Sequence, residues 1–313
     1  MNRISDDANQ ALGLRMTFGG GSADLQTDHS MRREASIPYL LAGQFHKMAF
    51  DAWGDPEAPA VVCVHGLTRN GRDFDALAGA LSDRFHVICP DLPGRGNSDR
   101  LPDPMLYQAQ HYVTALAHLL AWIAKDVAWV GTSLGGICGM VIAATEGSPI
   151  NRLVLNDVGP FIPADSLSRI RDYMVASGDS PMMLRFPDLE SIERHLRLVH
   201  APFGPLSDEQ WAQLARNSAR ALPDDRFTMH YDPRIAEPLR GHEPVDVDMW
   251  PFWDRIRVPR MVIRGETSDV LLADTFRRME ASGAEAFEVP VTGHAPALLD
   301  PSQIEAIRAF LVR

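Results

Sequence analysis

"WVGTSLGGICGMVIAA", residues 129–144, decides the fold. An apolar run stops at Gly131. One hydroxyl, Ser133, stands among small residues, and an apolar helical stretch opens at Leu134. A strand apolar at successive positions belongs to a parallel sheet covered on both faces. The change from buried strand to buried helix happens within a few residues, and Gly131-Thr132-Ser133-Leu134-Gly135 fits the G-x-S-x-G pattern of a nucleophile elbow. The reason is steric. The turn holds the serine in a strained backbone conformation, so that its hydroxyl projects above the sheet edge. Glycines at 131 and 135 remove the side chains that would crowd strand against helix. The helix N-terminus behind Ser133 favours developing negative charge.

Outward from the elbow, strand and helix signals alternate. "AVVCVHG" (60–66), "FHVICP" (85–90), "DVAWVGT" (126–132) and "INRLVLN" (150–156) read as strands. "RDFDALAGALSD" (72–83) and "HYVTALAHLLAWI" (111–123) carry helical spacing between them. "HKMAFDAWGD" (46–55) reads as an antiparallel hairpin strand ahead of the sheet. The rhythm breaks after Pro160 and resumes at "VPRMVIRGE" (258–266), followed by helix 272–282, strand and loop 285–294, and helix 303–312. The expectation is an α/β core over 31–160 and 254–313, a mostly helical cap inserted at 161–253, and a flexible tail over 1–30.

The 313 residues are 45% hydrophobic and 23% charged, with a net charge of −11. Such an acidic chain lacks the clustered Lys and Arg that phosphate-backbone binding needs, so no nucleic-acid partner is expected. No apolar run reaches membrane-spanning length, so no membrane partner is expected either. The polar N-terminal residues lack the layout of a secretory signal. Three cysteines, Cys63, Cys89 and Cys138, fall in apolar segments, as core residues of a protein in a reducing cytoplasm would. No Cys/His spacing suggests a metal, and "DLPGRGNSD" (91–99) reads as an architectural turn rather than a dinucleotide fingerprint. No metal or cofactor is expected, and oligomeric state is not legible.

A serine hydroxyl needs a base to take its proton. His294, in "PVTGHAP" at a strand's C-terminal end, is the candidate. The histidine in turn needs an acid to fix its tautomer. Asp269, in the loop after "MVIRGE", is preferred; Asp157, after the preceding strand, is the alternative, and Glu266 a weaker one. Oxyanion donors are expected from the backbone N–H groups of Leu67, in "VHGLTRN", and Leu134. His65 is expected to shape that loop. Arg69 either touches substrate or belongs to a solvated loop. In the cap, Met182, Met183, Phe186, Phe203, Trp211, Trp250, Phe252 and Trp253 are candidate pocket residues, against the alternative that they pack cap to core.

"HGLTRN", "DLPGRGNSD", "GTSLGG", "RGETSD" and "GHAP", in this order, resemble the α/β-hydrolase fold superfamily. The resemblance spans residues 35–160 and 255–313. It implies an eight-stranded, mostly parallel sheet flanked by helices, a cap after the sixth strand, and a triad of Ser133, Asp269 and His294. Serine in place of aspartate at the elbow departs from haloalkane dehalogenases and epoxide hydrolases. Ala295 after the histidine, where carbon–carbon bond hydrolases usually carry tryptophan, looks more like ester and lactone hydrolases. The expected activity is hydrolysis of a small-to-medium, partly apolar carboxylic ester or lactone. Carbon–carbon or amide bond hydrolysis by the same triad, and non-catalytic binding of a small ligand, are the alternatives.

Overall fold

The structure is a computed structural model and describes residues 32–179, 184–241 and 243–313. The expected tail, 1–30, and Met182 and Met183 lie outside the described residues.

Eight strands form the central sheet: β1 Arg33–Leu41, β2 Gln44–Trp53, β3 Ala60–Val64, β4 His86–Pro90, β5 Val127–Thr132, β6 Ile150–Asn156, β7 Arg260–Gly265 and β8 Glu285–Val289. Their order is β1-β2-β4-β3-β5-β6-β7-β8. β1 and β2 form the expected hairpin, closed by Ala42 and Gly43, both at positive φ, as the tight hairpin turn requires. β2 runs antiparallel to β4, and every pairing from β4 to β8 is parallel.

The continuous apolar character of the strands has a direct cause. Alternate residues enter two different cores. Val62, Val64, Trp129, Leu153 and Leu155 face one side, where α2 (Ala109–Ile123) and α3 (Leu134–Ala143) contribute Leu116, Leu119, Cys138 and Met140. Val61, Cys63, Val130, Val154 and Ile263 face the other, against Leu77 and Leu81 of α1 (Asp75–Leu81) and Ile307 and Phe310 of α9 (Pro301–Leu311). All three cysteines are free and buried.

Between β6 and β7 the chain leaves the sheet. It forms α4 (Ala164–Asp179), α5 (Leu189–Val199), α6 (Asp208–Ser218) and the single turn α7 (Trp250–Trp253). The mostly helical expectation for 161–253 needs an addition. A three-stranded sheet of Arg185–Phe186, Phe227–Met229 and Ala219–Ala221 and a strand pair, Phe161–Ile162 with Val247–Asp248, also lie here. These strands are two or three residues long, too short for a period-2 signal to register in the sequence. After β7, α8 (Ala273–Ala281) completes the core. No helix among the described residues is long and apolar enough to cross a membrane.

The cap is tied to the core by polar contacts. Asn70 Nδ2 donates to the Asn217 carbonyl at 2.8 Å, and the Gly293 N–H to the Pro202 carbonyl at 2.7 Å. Gly96 N–H donates to Nδ1 of buried His230 at 3.0 Å, and the Tyr107 hydroxyl to Asp232 at 2.8 Å.

Candidate active site

Ser133 stands between β5 and α3 with φ 51° and ψ −115°, a strained geometry for a residue with a side chain. Its N–H donates to the Asn156 carbonyl at 3.0 Å, and its carbonyl accepts from Gly136 N–H at 2.8 Å. The flanking glycines are sterically required. A Cβ on Gly131 would collide with the Gly135 backbone, and one on Gly135 with the Val64 carbonyl. Close packing of β5, α3 and β3 therefore pins the turn.

His294 Nε2 lies 2.9 Å from Ser133 Oγ, and its Nδ1 lies 2.8 Å from Asp157 Oδ2. A carboxylate only accepts, so Nδ1 carries the hydrogen and Nε2 is left as the acceptor for the serine proton. Asp157 is completely buried. It follows β6 directly, and its carboxylate takes two more hydrogen bonds: Gly265 N–H on Oδ1 at 2.7 Å, and the Ser268 hydroxyl on Oδ2 at 2.6 Å. The loop after β7 is thus built around the Asp157 carboxylate. Asn156 steadies the histidine loop from below, with Nδ2 donating to the Pro296 carbonyl at 2.8 Å and to Thr132 Oγ1 at 3.0 Å.

The preferred acid of the sequence reading is therefore corrected. Asp269 does not meet His294. Its side chain is 48% exposed and forms a bidentate ion pair with Arg169 of the cap, at 2.7 and 2.9 Å. Both aspartates follow the C-terminal ends of adjacent parallel strands, and chain order Ser-Asp-His holds for either, so sequence spacing does not separate them. Glu266 also stays away, accepting from Val291 N–H at 2.8 Å.

Leu67 and Leu134 both line the cavity that contains Ser133 and His294. A Cβ placed on Gly66 would lie 3.6 Å from the Ser133 Cβ, so the loop runs close past the serine. Its peptide is held firmly. The Gly66 carbonyl, on the same peptide unit as the Leu67 N–H, accepts from His65 Nδ1 at 2.7 Å and from Arg69 N–H at 3.2 Å. Donors on a peptide carbonyl polarise the N–H at its other end. His65 Nε2 accepts from Leu92 N–H at 2.9 Å, which leaves the ring hydrogen on Nδ1. Burial pushes the His65 pKa down to about 3, so this ring stays neutral. Buried Arg95 donates through Nε to the Leu67 carbonyl at 2.9 Å, fixing the next peptide.

The cavity holds about 580 Å³. Its cap wall comes largely from α4, where Leu167, Ile170 and Met174 fall on one helical face. Leu198, Phe203 and Leu239 add further apolar surface, and Val158 and Val270 close it from the core. Arg69 lines the cavity too, but its guanidinium is spent on Asp73 (2.6 and 2.7 Å) and Ser218 (3.0 Å). Of the aromatic candidates, Phe203 lines the cavity, and Phe186, Trp211, Trp250, Phe252 and Trp253 do not. Phe186 lies against His195 with centroids 5.3 Å apart, Trp211 lies under Arg197, and Trp253 donates to Ser282 Oγ at 3.0 Å. The pocket side chains on α4 had a sequence signal, apolar residues at i, i+3 and i+7 on the first helix after a sheet strand. No cluster of His, Cys, Asp or Glu among the described residues could hold a metal ion.

Comparison with known proteins agrees with this architecture. A model of the alpha/beta hydrolase family matches residues 61–307. The 3-hydroxybutyrate-oligomer hydrolase of Cupriavidus necator is 40% identical over 279 residues, covering 85% of this chain and 92% of that protein. The 2-(acetamidomethylene)succinate hydrolase of Mesorhizobium japonicum is 26% identical, covering 80% of this chain and 84% of that protein. The crystal structure of an alpha/beta hydrolase from Novosphingobium aromaticivorans superposes with a TM-score of 0.79 at 36% identity, covering 90% of this chain and 98% of that one. With the eight-stranded sheet and the family match across most of its length, the chain belongs to the α/β hydrolase family and is a hydrolase.

Proposed function

We propose that the protein is a serine hydrolase of carboxylic esters, acting on a small-to-medium, partly apolar substrate through an acyl-enzyme on Ser133. One observation carries the reading: His294 bridges Ser133 Oγ at 2.9 Å and the buried Asp157 at 2.8 Å. In the proposed mechanism Ser133 Oγ attacks the acyl carbon as His294 Nε2 takes its proton. Negative charge develops on the former carbonyl oxygen and is met by the N–H groups of Leu67 and Leu134. Asp157 holds the imidazolium and keeps its ring oriented. His294 then protonates the departing alcohol, and a water molecule activated by the same ring hydrolyses the acyl-enzyme. The apolar cavity wall on α4 suits a short aliphatic acyl or alcohol part. The relative from Cupriavidus necator is named for 3-hydroxybutyrate oligomers, whose units are joined by ester bonds, so linear oligoesters of 3-hydroxybutyrate are the first substrates to offer.

The test is turnover of such an oligoester by wild type and Ser133→Ala, with labelling by a fluorophosphonate. The expected result is stoichiometric labelling of Ser133 and a loss of about 10⁴-fold or more in the variant. Undiminished ester turnover by Ser133→Ala would overturn the mechanism. Turnover of amides or of a ring-fission dienoate with negligible ester cleavage would overturn the substrate class.

A further inference from the structure

The wall of the catalytic cavity differs in charge from the chain around it. The chain carries a net charge of −11, yet among the described residues lining this cavity there are three arginines and no aspartate or glutamate. The three are held differently. Arg69 is buried in its contacts with Asp73 and Ser218. Arg171 bonds Asp172 and Glu243, both at 2.9 Å. Arg169 projects from α4 with its side chain 54% exposed, and its guanidinium fork holds both oxygens of Asp269, whose side chain is 48% exposed.

We propose that Arg169 is a specificity residue that binds a free carboxylate carried by the ester substrate, with Asp269 occupying that position until substrate displaces it. The inference rests on the ester-hydrolase reading and narrows it to acid-terminated esters. Three observations support it. The guanidinium of a cavity-lining residue is engaged by one planar carboxylate, the geometry that a substrate carboxylate would reproduce. A pair this exposed contributes only about 0–1 kcal/mol, so exchanging one carboxylate for another is nearly free of cost. The loop that carries Asp269 also reaches the chemistry: Ser268 holds Asp157, and Val270 lines the cavity. An ester with one free carboxylate therefore meets an apolar chamber, a nucleophile and a cation in one cavity.

The pair also bridges cap and core, so a purely structural latch is the competing account. The two differ in sign. Loss of either half of a latch acts in one direction on every substrate. In a carboxylate site Arg169 and Asp269 act oppositely, because one binds the substrate's anion and the other competes with it.

The measurement is kcat/KM for the 3-hydroxybutyrate dimer as free acid and as methyl ester, in wild type, Arg169→Gln and Asp269→Asn. The ratio of acid to methyl ester should exceed one in wild type and fall about tenfold in Arg169→Gln. It should rise about threefold in Asp269→Asn, where the competitor has lost its charge. Equal values for acid and methyl ester in all three proteins would overturn the inference and leave the ester-hydrolase reading intact. So would a parallel loss on both substrates in both variants, the signature of a latch. If wild type cleaves neither ester yet hydrolyses an amide, the failure lies with the ester reading instead.

Discussion

Asp157 and Asp269 follow the ends of neighbouring parallel strands, β6 and β7, and could hardly be placed more differently. Asp157 is completely buried and takes hydrogen bonds from His294, Gly265 and Ser268. Asp269 stands half in solvent and is paired with a cap arginine. A buried carboxylate is tolerated only when donors converge on it. Here the donors are the end of β7, the loop beyond it and the histidine. The comparison teaches that the end of a strand makes an aspartate available, while the neighbouring loop decides whether it is desolvated and aimed.

The sharpest way to break the comparison is to neutralise each acid in turn. Asp157→Asn should lower kcat on an activated ester by about 10⁴-fold, since the amide no longer selects the Nδ1–H tautomer of His294. Asp269→Asn should fall far short of that. Steady-state kinetics on the two purified variants decides it, and a larger loss in Asp269→Asn would reverse the assignment made from geometry.

This pair also marks how far the sequence could be read. The glycines at 131 and 135, the apolar strands and the break after Pro160 express local sterics and burial, so the sheet, the elbow and the cap were visible in the residue pattern. Ser133 and His294, which the structure sets 2.9 Å apart, each stand in a small-residue context at a strand end. The choice of acid depended on where a loop folds back. Nothing in "TSDV" says that Ser268 turns inward onto Asp157 while Asp269 turns outward to Arg169. Apart from Phe203, the cap wall of the pocket was missed for a related reason. Trp211 and Trp253 are large enough to be useful packing, and they are buried in it, whereas the smaller aliphatic side chains of α4 face the cavity.

Burial has a second consequence, measurable as pH dependence. The His65 pKa is lowered to about 3 by burial and that of His86 to about 4, and burial lowers those of His195, His200 and His230 as well. Each ring is neutral in the native state and takes up a proton more readily once unfolded. The stability each contributes is present above pH 6.5 and is lost as pH falls toward the native pKa. For His65 the loss is about 1.4 kcal/mol per pH unit between pH 6.5 and 3. His65→Gln can keep a donor for Gly66 and an acceptor for Leu92 without titrating. Between pH 7 and pH 5 the variant should therefore lose about 2 kcal/mol less stability than wild type. Urea midpoints at the two pH values measure the difference, and parallel losses would show that His65 does not carry the linkage.

A smaller effect is expected from the support of the buried acid. Ser268→Ala removes one of three donors from the Asp157 carboxylate and frees the loop amides of Val270 and Leu271 that its oxygen accepts at 3.2 and 3.1 Å. The expected cost is about 1 kcal/mol of stability and about tenfold in kcat. Ser268→Thr should recover most of the activity if the hydroxyl is what matters. A Thr variant as slow as the Ala variant would assign the effect to packing.

The smallest effect belongs to the exposed partner in the comparison. Asp269→Asn removes a surface ion pair between half-exposed side chains, and such pairs contribute about 0–1 kcal/mol. Charges in contact with water are screened by salt, so the difference between wild type and variant should shrink as ionic strength rises. A buried acid gives no such trend: the difference in stability between wild type and Asp157→Asn should stay the same in high salt, because no counterion reaches a completely buried carboxylate. Chemical denaturation with urea at low and high sodium chloride reads both variants together. A salt-insensitive loss of several kcal/mol in Asp269→Asn would mean that the exposed pair holds the cap onto the core, and the contrast between the two aspartates would then be one of function alone.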